Sequence, residues 1–371
     1  FPWCVLPLPQ KYGYAIMVDG ENYPLDLLLI TGYPGPVPGV SGEPPRKYGL
    51  IAISTSYIEE ARRTRKPLEA GVIQLTSNPA IHGVLVNHYV VLSLQENGVE
   101  VYDLQTKSSF ISNFGLPSSG LCRIAYFEIN GEQYWFVATY EGEPLYKTVG
   151  NDHYFWFGPS RIYMAKNLLV EKENTQWIQV YPETGKTNAG IVSILINDKG
   201  EFVALEASGN IIYCPNVASK KPTFKTLKLK PVNCDLATYY TALRIDWERG
   251  IAYISSIEGE GVYYTELNKI RVSNSEVECY PYNEGLSTRL IRHLAITPDG
   301  KYLFAGAWWS SSWRIEPTLE AALVGIISIE SPDKAYVGET ITVKVSVKDL
   351  SLIHISEPTR PRLISYAVFC L

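Results

Sequence analysis

The chain has 371 residues, with 33 Lys and Arg against 38 Asp and Glu, a formal charge of −5 at pH 7. This mild acidity lacks the concentrated basic face of a nucleic-acid binder, so nucleic acid is excluded as the expected partner. No apolar run approaches the roughly 18 residues of a membrane-spanning helix; LDLLLI and ALVGIISI are strand-sized.

The chain opens at Phe1 without an initiator Met, so any signal peptide is expected upstream of it. CVLPLP, from Cys4, reads as a strand and resembles WIQVYP (from Trp177) and VECYP (from Val277). The next Gly turn is Asp19-Gly20, a weak first copy of a recurring hairpin, and a second weak copy turns near Asn87-His88. YIEEARRTRK, from Tyr57, carries the one helical pattern. VVLSLQ and VEVYDL alternate as strands do.

From Ser109 onward the repeat is strong. SFISNFGLPSSGLCRIAYFEINGEQYWFVATYEGEPLY is followed by three further copies starting at Trp177, Thr226 and Val277. Each carries a strand ending in an aromatic or Pro, a loop, an apolar strand, a Gly turn and another apolar strand. Gly200, Gly250 and Gly300 are spaced 50 apart, and Gly131 lies 69 before Gly200, with TVGNDHYFWFGPS around His153 as an apparent insertion. Tight hairpins favour Gly because they require positive φ. Repeats of this length with four short strands predict an all-β propeller over 1–320, since one repeat cannot bury its own faces. Six turns imply six blades, with seven the alternative. CVLPLP is expected to close the ring as the outer strand of the last blade, beside Lys301 to Pro317.

NEGLSTRLIRHLAITPDGKYLFAGAW and FGLPSSGLCRIAYFEINGEQYWFVATYEG resemble the repeats of two-component-regulator-type and related WD40-like or YVTN-like propellers. Their Gly-Thr position reads Ala138-Thr139 and Gly306-Ala307 here. The resemblance covers two or three blades and implies a sensor, scaffold or adhesion propeller without a defined chemistry. After Pro317 the pattern changes. VGIISIESPDKAYVGETITVKVSVKD resembles the first strands of an immunoglobulin-like surface β-sandwich, expected over 321–349 and truncated. Such a module implies an extracellular or cell-surface location. Abundant Tyr (26) beside scarce Met (2) fits an extracellular or hot-environment protein as well.

The last 22 residues, Leu350 to Leu371, resemble the translated adapters of a transposase-based sequencing library. They are expected to contribute no native structure. Without them the count is 31 basic and 37 acidic residues (33 − 2 and 38 − 1), a charge of −6, with five cysteines. These five contain no CxxC, so neither a zinc site nor any other metal or cofactor is expected. Cys214 and Cys234, the nearest pair, are the candidate disulfide; small buried hydrophobes are the alternative.

Sequence motifs nominate no catalytic residue. There is no Gly-x-Ser-x-Gly, Walker A, GxGxxG, HExxH, EF-hand loop or sialidase-type Asp box. His82, His88, His153 and His293 are scattered, and His82 reads as a loop or packing residue. One constellation stands out. Arg123 and Arg292 each lie eight residues before a turn Gly, and Arg244 lies six before Gly250, all on innermost strands. Their guanidinium groups, with the adjacent His293, are the candidate ring for capturing a carboxylate or phosphate at the channel. The competing reading pairs each Arg with a carboxylate such as Asp235 or Asp246. Trp156, within Tyr154-Phe155-Trp156-Phe157, and Trp309, beside Trp308, are candidates for stacking on a glycan or anchoring a protein at the loop face. The expected function is an extracytoplasmic binding, adhesion or scaffold module. The alternatives are a propeller glycan lyase or hydrolase with residues converging at the channel, and the ectodomain of a membrane sensor.

Overall fold

The computed structural model describes residues 4–32, 48–118, 120–141, 145–149, 152–156, 158–232, 234, 237, 239–258, 261–283, 285–286, 288–297, 299–307, 312–315, 317, 324–330 and 344–349. Within these, antiparallel sheets follow one another along the chain. The first contains β1 (Cys4–Pro7), a separate hairpin of β2 (Ala15–Val18) and β3 (Glu21–Pro24), then β4 (Leu27–Thr31), β5 (Gly49–Ile53) and β6 (Val72–Gln74), in order β1-β4-β5-β6. The second is β7 (Ala80–Val86), β8 (Tyr89–Leu94), β9 (Val99–Asp103) and β10 (Ser108–Ser112). The third runs β11 (Leu121–Ile129), β12 (Glu132–Thr139), then a hairpin of β13 (Leu145–Val149) and β14 (Asp152–Trp156), then β15 (Ile162–Lys166) and β16 (Ile178–Tyr181).

The fourth sheet is β17 (Ile191–Ile196), β18 (Phe202–Glu206), β19 (Asn210–Cys214) and β20 (Lys225–Pro231). The fifth is β21 (Tyr239–Asp246), β22 (Ile251–Glu258), β23 (Val262–Glu266) and β24 (Glu276–Pro281). Their outer strands β20 and β24 pair in parallel, Lys228 opposite Glu276, and fuse the two sheets into one of eight strands. The sixth holds β25 (Ile291–Ile296), β26 (Leu303–Ala307) and β27 (Ser312–Ile315). Strands β28 (Val324–Glu330) and β29 (Lys344–Asp349) form an antiparallel pair of their own. The first strands of successive sheets, β1, β7, β11, β17, β21 and β25, touch one another in turn. The fold is an all-β propeller, with these strands around its axis.

The packing explains why the middle strands read as unbroken apolar runs. In β12, Trp135 and Val137 pack toward the second sheet with Val91 and Val101, while Phe136 and Ala138 pack toward the fourth with Phe202 and Ala204. Successive side chains leave a strand on opposite faces, and here both faces are covered. The same alternation builds a core between the first and second sheets, between the fourth and fifth, and between the fifth and sixth. At the rim, Arg271 of the short helix after β23 holds the buried Glu201 of the fourth sheet through two bonds of 2.7 and 2.8 Å.

Several expectations meet the structure differently. CVLPLP is not the outer strand of the last sheet. It is the innermost strand of the first, pairing with β4 through Cys4↔Ile30 and Leu6↔Leu28 and touching β7. Cys4, Leu6 and Leu8 pack with Leu28, Ile30 and Val90, an apolar setting that an exposed outer edge would not supply. The Asp19-Gly20 turn, with φ of 54° and 85°, closes the β2–β3 hairpin, an insertion between β1 and β4 and not a repeat of the blade turn. The segment around His153 does form an inserted hairpin, β13–β14. The Tyr57 helix spans Thr55–Thr64, starting two residues early because Ser54 caps it by accepting from the Tyr57 N–H. The adapter-like residues 350–371 lie outside the described residues.

Phe136 is fully buried, 5.4 Å from the Phe202 ring of the next sheet. Phe136→Ala is expected to lower unfolding free energy by about 3–5 kcal/mol in urea denaturation. A change below about 1 kcal/mol would show that the third and fourth sheets do not share this core.

Candidate functional site

Innermost strands carry a repeated irregularity. The register between first and second strands slips between Ala80 and His82, Leu121 and Arg123, Ile191 and Ser193, Tyr240 and Ala242, and Ile291 and His293. A bulge of this kind leaves one residue unpaired and turns consecutive side chains toward the same side. It also aligns His82, Arg123, Ser193, Ala242 and His293 at one level of five adjacent strands.

Side chains at this level join each inner strand to the next. The Cys4 thiol approaches the Gly83 carbonyl at 3.7 Å. The Ile124 N–H donates to His82 Nδ1 at 3.4 Å, and Arg123 Nε donates to the Val192 carbonyl at 2.5 Å. The Leu243 N–H donates to Ser193 Oγ at 2.9 Å, and Thr241 Oγ1 donates to the Ile291 carbonyl at 2.8 Å. The first five contacts between sheets are thus each marked by a hydrogen bond at the bulge.

Within this ring lies a cavity of about 320 Å³, into which Arg123, Arg244, Arg292, His82 and His293 all project. Among its described lining residues there is no Asp or Glu. Arg244 also donates to the Leu243 carbonyl at 2.7 Å, and Arg123 to Cys122 at 2.5 Å. Burial, and after it the charge of Arg123, pushes Arg292 down to about 9 and lowers Arg244 as well. Burial and then the surrounding guanidinium charges press His82 and His293 down to about 3. His293 keeps surface open to the channel, so its depression is the more solvent-screened of the two. Neutral His82 fits its geometry, because an acceptor Nδ1 leaves the proton on Nε2. Chemically the site is a cationic chamber holding two neutral imidazoles.

The four nominated channel residues therefore share one cavity, though not with the equivalence that counting from turn glycines implies. Arg123 and His293 are the matching pair, opposite Ala138 and Gly306; Arg292 is the bulge residue beside it, matching Cys122. Arg244 stands two residues beyond the level, matching Val84 and Leu195. The count misleads because Asn130-Gly131 closes a two-residue turn, whereas residues 297–302 make a longer one. Asp246 is occupied by Arg249 at 3.3 Å, and Asp235 lies outside the described residues. His82, which reads from sequence as a packing residue, belongs to the chamber; the second-strand register reveals it, and spacing from the turn does not.

Trp156 ends β14, where the backbone alone is described, and Trp309 lies outside the described residues. The Cys214–Cys234 disulfide is not formed. Cys214 is buried between the third and fourth sheets while Cys234 packs at the interface of the fourth and fifth, so they serve separate cores. Among the described residues no group of three or more His, Cys, Asp or Glu could hold a metal ion, and no helix is long and apolar enough to cross a membrane.

The depressed histidines set a pH dependence. The unfolded chain takes up protons near 6.5 while the folded chamber resists them down to about 3, so stability falls as pH drops through that window. Proton NMR is expected to show neither imidazole titrating near 6.5. His293→Gln should flatten the slope of unfolding free energy between pH 7 and 5. An ordinary imidazole titration near 6.5 at either position would contradict the cationic chamber.

No protein-family model matches the chain, and no curated protein matches it. Among solved structures it is similar to a chain in the complex of KlAtg21 with the coiled-coil of AgAtg16, at a TM-score of 0.41 and 10% identity, over 75% of this chain and 73% of that one. It is also similar to a chain of a mitotic checkpoint complex, at a TM-score of 0.45 and 10% identity, over 93% and 90% of the two chains. Likeness this distant says nothing of activity, and the propeller assignment rests on the sheets themselves.

Proposed function

We propose that this propeller is a binding module whose axial chamber receives an oxyanion, a carboxylate or phosphate, of its ligand. The observation that carries the reading is the convergence of Arg123, Arg244 and Arg292 from three different sheets on one cavity, in a chain of net negative charge. Burial first, and the like charge of Arg123 second, bring Arg292 down to about 9. An entering anion relieves that repulsion and accepts charge-assisted hydrogen bonds. Neutral His82 can add its Nε2–H, and neutral His293 one ring N–H, as donors without further charge. With the chamber so built, the chain acts by binding, as a scaffold or adhesion propeller would, with a protein or glycan taken at its loop faces.

We place the module outside the cytoplasm, a reading supported by the sandwich-like sequence of 321–349. Proteolysis of intact cells expressing the full gene tests it: resistance of a tagged propeller that is cleaved after lysis would put it inside.

Isothermal titration with inorganic phosphate and with acetate tests the chamber. Arg244→Ala is expected to weaken binding roughly 10- to 100-fold, the equivalent of one charge-assisted hydrogen-bonding group, with the thermal midpoint as the check on folding. Binding should also weaken with rising ionic strength. Absence of anion binding by the intact protein, or a folded Arg244→Ala variant that binds as tightly, overturns the proposal.

A further inference from the structure

The chamber is not uniformly polar. Two residues beyond the bulge level, where Arg244 stands, three neighbouring strands place Val84, Ala125 and Leu195. All four line the cavity, together with the half-buried Ile196 of β17. The cations and imidazoles thus come from the second, third, fifth and sixth sheets, while β17 of the fourth presents an aliphatic wall. A fully hydrated ion such as free phosphate would satisfy the first half of this lining and leave the second half in contact with water. Apolar surface gains only when it is covered by apolar surface.

Resting on the reading of the chamber as an anion site, we infer that its ligand is an amphipathic carboxylate: a small acid whose headgroup meets the arginines and whose hydrocarbon body covers Val84 and Leu195. One wall of charge and one of aliphatic carbon in a single cavity match that division of a molecule. Size agrees, since about 320 Å³ is at the lower end of ligand-binding cavities. Selectivity then comes from both halves. The cations reject neutral hydrocarbon, and the aliphatic wall discriminates against bare inorganic anions.

Calorimetry with acetate, butanoate and hexanoate, beside inorganic phosphate and hexan-1-ol, separates the possibilities. The expected result is a Kd that falls about fourfold per added methylene, with hexan-1-ol failing to bind. Leu195→Ser is expected to flatten the chain-length series. Should that variant fail to fold, the series on the intact protein still decides. A flat series, with phosphate or acetate binding as well as hexanoate, overturns the amphipathic ligand and leaves the anion site standing. Failure of every anion to bind overturns the anion site itself.

Discussion

The structure depends on how its innermost strands are tied together. A propeller has no continuous ladder around its axis, because each sheet is hydrogen-bonded within itself and only packed against the next. Here each inner strand is the edge of its sheet, and a neighbouring side chain engages the backbone groups it leaves open: His82 for Ile124, Arg123 for Val192, Ser193 for Leu243, Thr241 for Ile291. Buried backbone groups left unmatched would be costly, so these side chains fix the angular position of one sheet on the next. The same residues form the wall of the chamber. Structural ties and candidate binding groups are therefore drawn from one layer, and Arg123 belongs to both.

Most of the apolar mass lies between the sheets, where Trp135, Phe136, Phe202 and Tyr253 are wholly buried and inner strands add Phe127, Ile191 and Leu243. The axis carries cationic and polar side chains beside the aliphatic Val84 and Leu195. Arg244 and Arg292 can sit where desolvation opposes their charge because the well-packed cores hold the scaffold around them. The outer rim is secured differently, by the parallel pairing of β20 with β24 and by Arg271 reaching Glu201 across two sheets.

From Ser109 onward the sequence determined the strands, the turns and the repeating hairpin by itself, whereas Asp19-Gly20 reads as a copy of that hairpin and is an insertion. Gly131, Gly200, Gly250 and Gly300 each occupy positive φ, where a Cβ is penalised, so spacing between them marks a unit of structure in any context. Apolar runs such as YWFVA likewise announced strands covered on both faces. Those are local properties of the backbone and of hydrophobic pattern. The position of CVLPLP was not local: its resemblance to WIQVYP and VECYP suggested an outer strand, and only packing against Ile30 and Val90 decided that it lies innermost. Whether Cys214 meets Cys234 was a matter of which intersheet core each enters. The membership of His82 and the pairing of Arg123 with His293 depended on bulges, which shift register by one residue and leave no mark in composition. Charge, cavity and neutral imidazoles arise only when separate sheets converge on one axis, and that convergence is a property of the tertiary structure because no single repeat contains the groups that face one another across it.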